Sequence, residues 1–210
     1  MGIQINVDFK DKDRAKALGA FWDTELRTWY IPDKKKISAF SDFLPEETDA
    51  IVKAPFFIAS SLRYCWKCGK ETPLVTIGAD KYIILDYPDD QDEPIWVLQY
   101  GTILFYYITY LPSNIISIIT DLQPFYKKMY SQTVNGYYWA NTCTHCNSLQ
   151  GDWGNHCELD GAFFPISKER AEQITLIQIE QKHDFPIVGS YGFGGSNDLI
   201  KKYANRKNLK

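Results

Sequence analysis

Positive charge is not in surplus over the chain as a whole. Its 210 residues carry 23 Lys and Arg against 26 Asp and Glu, a formal net charge of −3, with an isoelectric point of about 5.6. No global basic field therefore draws the molecule to nucleic acid, and any such binding has to rest on a local patch. No secretory leader is expected either, because "MGIQINVDFK" has neither the basic start nor the apolar run of a signal peptide. The Met-Gly opening does not make a myristoylation site, since position 6 is Asn rather than Ser or Thr. An intracellular, cytoplasmic and reducing location is the expectation. Cysteine is scarce, five in all. In a reducing compartment paired cysteines serve as metal ligands or redox groups rather than as covalent staples. Internal repeats and low-complexity tracts are absent, two short cysteine motifs apart.

Charge is also missing from Pro94 to Thr120, a stretch long enough to cross a bilayer. Gln99, Gly101, Pro112, Ser113 and Asn114 interrupt it, and its density of Tyr is foreign to the centre of a span. The two cysteine motifs flank it, so one span would separate them if they share an ion. Buried strands are the expected explanation. What the chain does have is an apolar share of 45% and an aromatic share of 15%, with 14 Tyr against 12 Phe. That supports a real core in one domain, or in one small and one medium domain. Aromatics with a polar tip suit strands with one wet face, or interfaces.

The predicted class is α+β. Residues 1–45 read as a small strand–helix–hairpin–helix unit. "IQINV" alternates as a strand, and "DKDRAKALG" is a short helix with Asp11 as N-cap, Ala15 and Leu18 on one face and Gly19 as terminator. "AFWDTELRTWYIP" is a hairpin ended by Pro32, and "KKKISAFSDFL" a closing helix with Ile37, Phe40 and Leu44 on one face. Pro45 to Pro55 looks like an acidic connector. From 55 to 210 the pattern predicts a zinc-ribbon α+β domain with an insertion over 69–142. "PLVTIGADKYIILDY" reads as two strands around a Gly78-Ala79-Asp80 turn, and "IWVLQY" and "ILFYYITYL" as two more. "SNIISIITDLQ" is a helix capped by Ser113, "FYKKMYSQ" a second short helix, and "GYYWANTC" a strand. "SKERAEQI" opens a helix, "TLIQIE" a strand, and "GSNDLIKKYANRK" a closing basic helix.

Two Cys-x-x-Cys motifs, "CWKCGK" (Cys65, Cys68) and "CTHCNS" (Cys143, Cys146), carry the chemistry. Such a turn lets two thiolates converge on one tetrahedral ion while its own amides bond to the sulfurs. The residue after the second Cys adopts a left-handed backbone, which Gly69 and Asn147 both tolerate. Both motifs follow strand-like runs, so two facing knuckles around one structural zinc are predicted, with Cys157 taking no part. The long intervening segment is no obstacle, since closure entropy grows only logarithmically with length. A thioredoxin-like site would need a helix after the motif, which neither shows. Four thiolates leave no open position for catalysis.

Other candidates are weaker. His145 lies inside the second knuckle and reads as a bystander. "GDWGNHCELDGAFFP" clusters Asp152, His156, Cys157, Glu158 and Asp160, and reads as a turn-rich loop with a buried Cys. "GSYGFGGS" resembles a phosphate loop but lacks the Gly-Lys-Ser/Thr ending, so a flexible connector is expected. No catalytic constellation emerges, and the chain is not expected to be an enzyme.

The run "AKALGAFWD…RTWYIP" is the most specific in the chain. Through Ala15, Lys16, Leu18, Gly19, Ala20, Trp22, Asp23, Thr28, Trp29, Tyr30 and Pro32 it resembles a small uncharacterised domain found alone or beside plasmid-transfer primases and other DNA-processing proteins. That resemblance implies a nucleic-acid context. Phe21 stands where many members carry a basic residue, which removes one candidate phosphate contact. The remainder looks like uncharacterised bacterial zinc-ribbon proteins, which supplies no activity. Read physically, Lys12, Lys16, Trp22, Arg27, Trp29 and Lys34 interleave cations with aromatic faces, a pattern suited to single-stranded nucleic acid. The minicore of a very small unit is the favoured place for most of each indole, which leaves the lysines as solvated surface. The expected function is a non-enzymatic zinc-binding module that contacts single-stranded nucleic acid or a DNA-processing partner protein. The alternative is an immunity-like protein that occludes a basic toxin, using the acidic loop "YPDDQDEP". No membrane and no small-molecule substrate is inferred.

Overall fold

A computed structural model describes residues 2–89 and 92–209; Asp90 and Gln91 of the acidic loop lie outside the described residues. The N-terminal unit follows the expected order. Strand β1 (Ile3–Ile5) leads to helix α1 (Lys12–Leu18) and to the hairpin β2 (Phe21–Asp23) and β3 (Thr28–Ile31), in sheet order β1-β3-β2. Gly19 ends α1 with φ of 100°, and Asp11 holds the N-cap position without a side-chain capping bond. Ala15 is buried, whereas Leu18 faces solvent more than the helical pattern suggests.

Residues 34–43 form a 3-10 segment broken at Phe40 rather than an α-helix. Ile37, Phe40 and Phe43 are all buried and spaced by three, the period of a 3-10 turn. Phe43 thus takes the place expected of Leu44. The presumed connector is also ordered: Ala50–Val52 is strand β4, fully buried between later strands.

The rest of the chain builds a large, mostly antiparallel sheet. It holds β5 (Phe56–Tyr64), β6 (Glu71–Asp86), β7 (Ile95–Tyr110), β8 (Tyr126–Ser131), β9 (Gly136–Thr142), β10 (Leu149–Gln150), β11 (Thr175–Ile179), β12 (Phe185–Tyr191) and β13 (Asn205–Asn208). Helices α2 (Ser113–Leu122), α3 (Asp152–His156), α4 (Lys168–Ala171) and α5 (Gly195–Tyr203) accompany it. The class is mixed α+β and strand-rich. Pairings β4–β6, β6–β7, β7–β12 and β12–β4 close a ring of four strands. The main core, including Val52, Ile77, Phe105, Ile115, Ile119 and Phe185, gathers from these strands and from α2. Segment 69–142, between the knuckles, carries β6 to β9.

Three expectations are corrected by the pairing. Gly78 to Asp80 is not a turn but the middle of β6, where a side chain at Gly78 would lie 2.2 Å from the Phe57 ring and 2.6 Å from the Ile103 carbonyl. Glycine is there for close approach of neighbours. The two strands expected over 95–110 are one, bent at Gly101 (φ 143°) opposite a register shift between Ala79 and Lys81. "FYKKMYSQ" is not a helix but β8, paired along its length with β9 through a turn at Asn135-Gly136, where Asn135 has φ of 54°. Among the described residues no helix is long and apolar enough to cross a membrane. The charge-free stretch instead forms β7 and most of α2.

Strand β1 meets the sheet beside β12. Gln4 N donates to Asp184 O and Asp184 N to Gly2 O, both at 2.8 Å. Ile51 and Ile83 of the large sheet share a core with Ile3, Ile31, Ile37 and Phe40.

Candidate metal centre

Each cysteine motif is the tip of a hairpin. Tyr64 pairs with Glu71 before and after the first, and Thr142 with Leu149 around the second. The tips are built alike. Cys65 N donates to Lys70 O and Gly69 N to Cys65 O, while Cys143 N donates to Ser148 O and Asn147 N to Cys143 O, all at 2.8–2.9 Å. Gly69 and Asn147 have φ of 69° and 56°, as the local turn requires. Within each tip one amide points at the first sulfur: Lys67 N to Cys65 Sγ and His145 N to Cys143 Sγ, each 3.4 Å.

Strand docking brings the tips face to face. The buried Asn141 side chain bonds both the N–H and the C=O of Val75, at 2.8 Å each, and so acts as a bridge between β9 and β6. Trp66 Nε1 donates to Leu149 O at 2.7 Å, and His145 Nε2 lies 3.0 Å from Glu71 O, so each tip reaches the other's outgoing strand. Thr144 N donates to Thr72 Oγ1 at 3.1 Å. His145 is thus a strut between knuckles and not a ligand.

The four sulfurs of Cys65, Cys68, Cys143 and Cys146 lie within 4.8 Å of one another. Across the tips Cys65 to Cys146 and Cys68 to Cys143 are both 3.7 Å. That is too long for a disulfide, whereas ligands about 2.3 Å from a tetrahedral centre stand about 3.8 Å apart. These cysteines are able to hold a metal ion. Cys157 lies outside the cluster.

Electrostatics point the same way. Burial alone would raise the Cys65 thiol, but its bonds with Ser148 and with the Cys68 and Lys67 amides bring it down to about 5. Cys68 keeps a favourable bond from the Lys70 amide, yet burial and the neighbouring sulfurs push it up to about 11. Four thiols at this spacing do not all ionise without a cation among them. Ser148 Oγ sits 3.3 Å from Cys65 Sγ and 3.1 Å from Cys146 Sγ, and Gln150 Nε2 is 3.4 Å from Cys65 Sγ. Sequence reading missed Ser148 and Gln150. Their only signal was polar character just past a knuckle, where strand residues would ordinarily follow.

The N-terminal candidates are partly assembled. Trp22 is 47% exposed and meets Trp29 edge-on, ring centroids 5.6 Å apart. Lys16 Nζ lies 5.9 Å from the Trp29 ring and Lys12 Nζ 4.0 Å from the Phe9 ring. Arg27 stands at the hairpin tip with φ of 50°. Lys34 opens the 3-10 segment, and its side chain lies outside the described residues. Trp22 is therefore a surface group and Trp29 alone packs on the unit's core. Residues far along the chain complete this unit. His183 Nε2 lies 2.8 Å from Asp23 Oδ2 and its ring stacks on Tyr30 at 4.2 Å, while Lys182 pairs with the same Asp23 oxygen at 2.8 Å. Lys182, then His183, hold the Asp23 carboxyl well below the usual carboxylate range.

Comparison with known proteins gives this unit a relation. Residues 3–45 match the model of a domain of unknown function, DUF5710. A DNA primase TraC of Escherichia coli is 44% identical over 50 residues, which covers 24% of this chain and 5% of that protein. A second DNA primase TraC of Escherichia coli is 39% identical over 49 residues, 23% of this chain and 3% of that protein. The chain thus spans a twentieth or less of the primases it matches. No solved structure matches. The DUF5710 match ends before β4, so the metal centre lies wholly outside it.

Proposed function

We propose that the chain is a non-enzymatic module in which one structural zinc ion clamps two hairpins, and the DUF5710 unit contacts single-stranded nucleic acid or a DNA-processing partner. The observation that carries the metal half is the pair of like-built tips, whose sulfurs stand at tetrahedral spacing. All four donors are soft sulfurs, which favours zinc over harder divalent ions. Four protein ligands fill a tetrahedral ion, so the ion supplies folding energy and no reaction centre. The nucleic-acid half rests on the exposed Trp22, on Lys16 over its neighbour Trp29 and Lys12 over Phe9, and on the likeness to the primases. Bases stack on such faces while lysines meet phosphates. With few cations on an acidic protein, the contact is weak and salt-sensitive.

Elemental analysis of the purified chain tests the first half: one zinc per chain is expected, and a metal-free, fully folded protein with four titratable thiols at these positions refutes it. Single-stranded DNA titrated at low and moderate salt tests the second. Binding that weakens with salt and is lost in Trp22→Ala supports nucleic acid as the partner. Binding indifferent to both salt and Trp22 contradicts that contact and leaves a protein partner as the reading.

A further inference from the structure

A second feature stands apart from the metal centre and from the DUF5710 unit. A cavity of about 240 Å³ opens between β7, the end of α3 and the start of α5. Four aromatic side chains, Tyr106, Phe163, Phe164 and Phe193, line it together with polar groups. At one side stands His156, only 7% exposed, its ring held between Tyr106 and Phe163 at centroid distances of 5.1 and 4.9 Å. The imidazole lines the cavity and has no hydrogen-bond partner among the described residues. Burial pushes it down to about 3, so it is neutral at physiological pH and offers one donor and one acceptor. Its ring edge opens on the cavity, where a ligand can reach it.

The rest of the rim matches that edge. Asn197, in the first turn of α5, donates its amide to Gly192 O at 2.7 Å, which leaves its side-chain oxygen to accept. Cys157 lines the cavity beside His156. Among the described residues no charged side chain lines the space, so a neutral ring is favoured there over a charged one. Its size exceeds the about 150 Å³ apolar cavity that accepts a benzene, so a fused pair of rings fits. Aromatic walls with a few convergent polar groups are the usual make-up of a small-molecule site.

We propose that this cavity binds a purine base, its faces against the aromatic walls and its polar edge on His156 and Asn197. The base arrives either as a free nucleoside or as an unstacked base of a single strand; the chemistry recognised is the same.

Cys157 provides a local readout, because it lines the cavity while the other four cysteines are taken up by metal. The zinc-loaded full chain is exposed to a thiol-alkylating reagent, and modification of Cys157 is followed by peptide mass analysis. Adenosine, guanosine, cytidine and a short oligo-dA are added in separate arms, with direct titration by calorimetry alongside. Saturable purine-nucleoside binding below about 1 mM, with Cys157 alkylation slowed several-fold and cytidine weaker, supports the site. Protection by the oligonucleotide alone assigns the strand as the source. His156→Phe keeps the stacked ring but removes the polar edge, and is expected to weaken binding about tenfold, the worth of one hydrogen bond. Absence of binding and protection in every arm overturns the proposal, as does equal affinity in H156F. The wild-type protection arms decide the matter should H156F fail to fold.

Discussion

Asn141→Ala is the sharpest test of how the two knuckles come to face each other. The Asn141 amide bonds both polar groups of Val75 in a buried position, at 2.8 Å each. Truncation leaves the Val75 N–H and C=O buried without partners, and each such group costs about 1–3 kcal/mol. A loss of about 4 kcal/mol is therefore expected. For a chain of this size that is a fall in melting temperature of about 10 °C, at about 2–4 °C per kcal/mol. The metal gives a second handle. If Asn141 only stabilises the sheet, urea unfolding with chelator and with excess zinc shows the same loss. If it also sets the spacing of the sulfurs, metal binds the variant less tightly and adds less stability. The loss measured with zinc then exceeds the loss measured with chelator. Equal losses in the two conditions, or a total below about 1 kcal/mol, refute the reasoning.

Cys143→Ser should lose the metal and lower the melting temperature, whereas Cys157→Ser should leave metal content unchanged; elemental analysis and a thermal scan check both. Asp152 is buried and accepts from Tyr107 N at 2.7 Å, and burial pushes its carboxyl up to about 7 despite that bond. The unfolded chain ionises it from about pH 4, so stability is lost as pH rises from there to about 7 and stays level above. Asp152→Asn keeps an acceptor without a charge, and should flatten that decline in urea titrations at several pH values. Asp23 behaves in the opposite sense. Its folded carboxyl lies well below the ordinary carboxylate value of about 4, so its contribution is present above that pH and lost as pH falls. Asp23→Asn should therefore make the acid limb of the stability curve shallower, and an unchanged limb would count against the pairing with Lys182 and His183.

The knuckles were readable because their chemistry is local. Two cysteines three apart, then Gly69 or Asn147, state a turn and a ligand pair without reference to anything distant. The hairpin of β2 and β3 was readable for the same reason. What lies between the knuckles was not. Gly78 and Gly101 look like turns in a linear string, and only the neighbouring strands reveal one as a close approach and the other as a bulge. β8 was hidden because "FYKKMYSQ" has no strict alternation, and its partner follows a turn at Asn135-Gly136 that went unread. The short β4 was masked by flanking acids and prolines, although Ala50, Ile51 and Val52 are among the most deeply buried residues. His183 and Asp184 gave no signal at all, since their partners Asp23, Lys53 and Gly2 lie over a hundred residues away. Pairing at that distance is invisible to any local pattern.

The same long-range seam bears on how far the N-terminal unit can travel. Sequence likeness draws a cassette from 3 to 45, yet its energetic outline is larger. Cut there, the piece would present Ile3, Ile31 and Ile37 to water where Ile51 and Ile83 now cover them. It would also keep Asp23 while leaving behind the lysine that neutralises it, and lose the ring that stacks on Tyr30. Grafted onto a foreign host, residues 3–45 would demand a matching apolar socket and a basic neighbour at the hairpin. Portability of this segment is therefore a property of host and guest together.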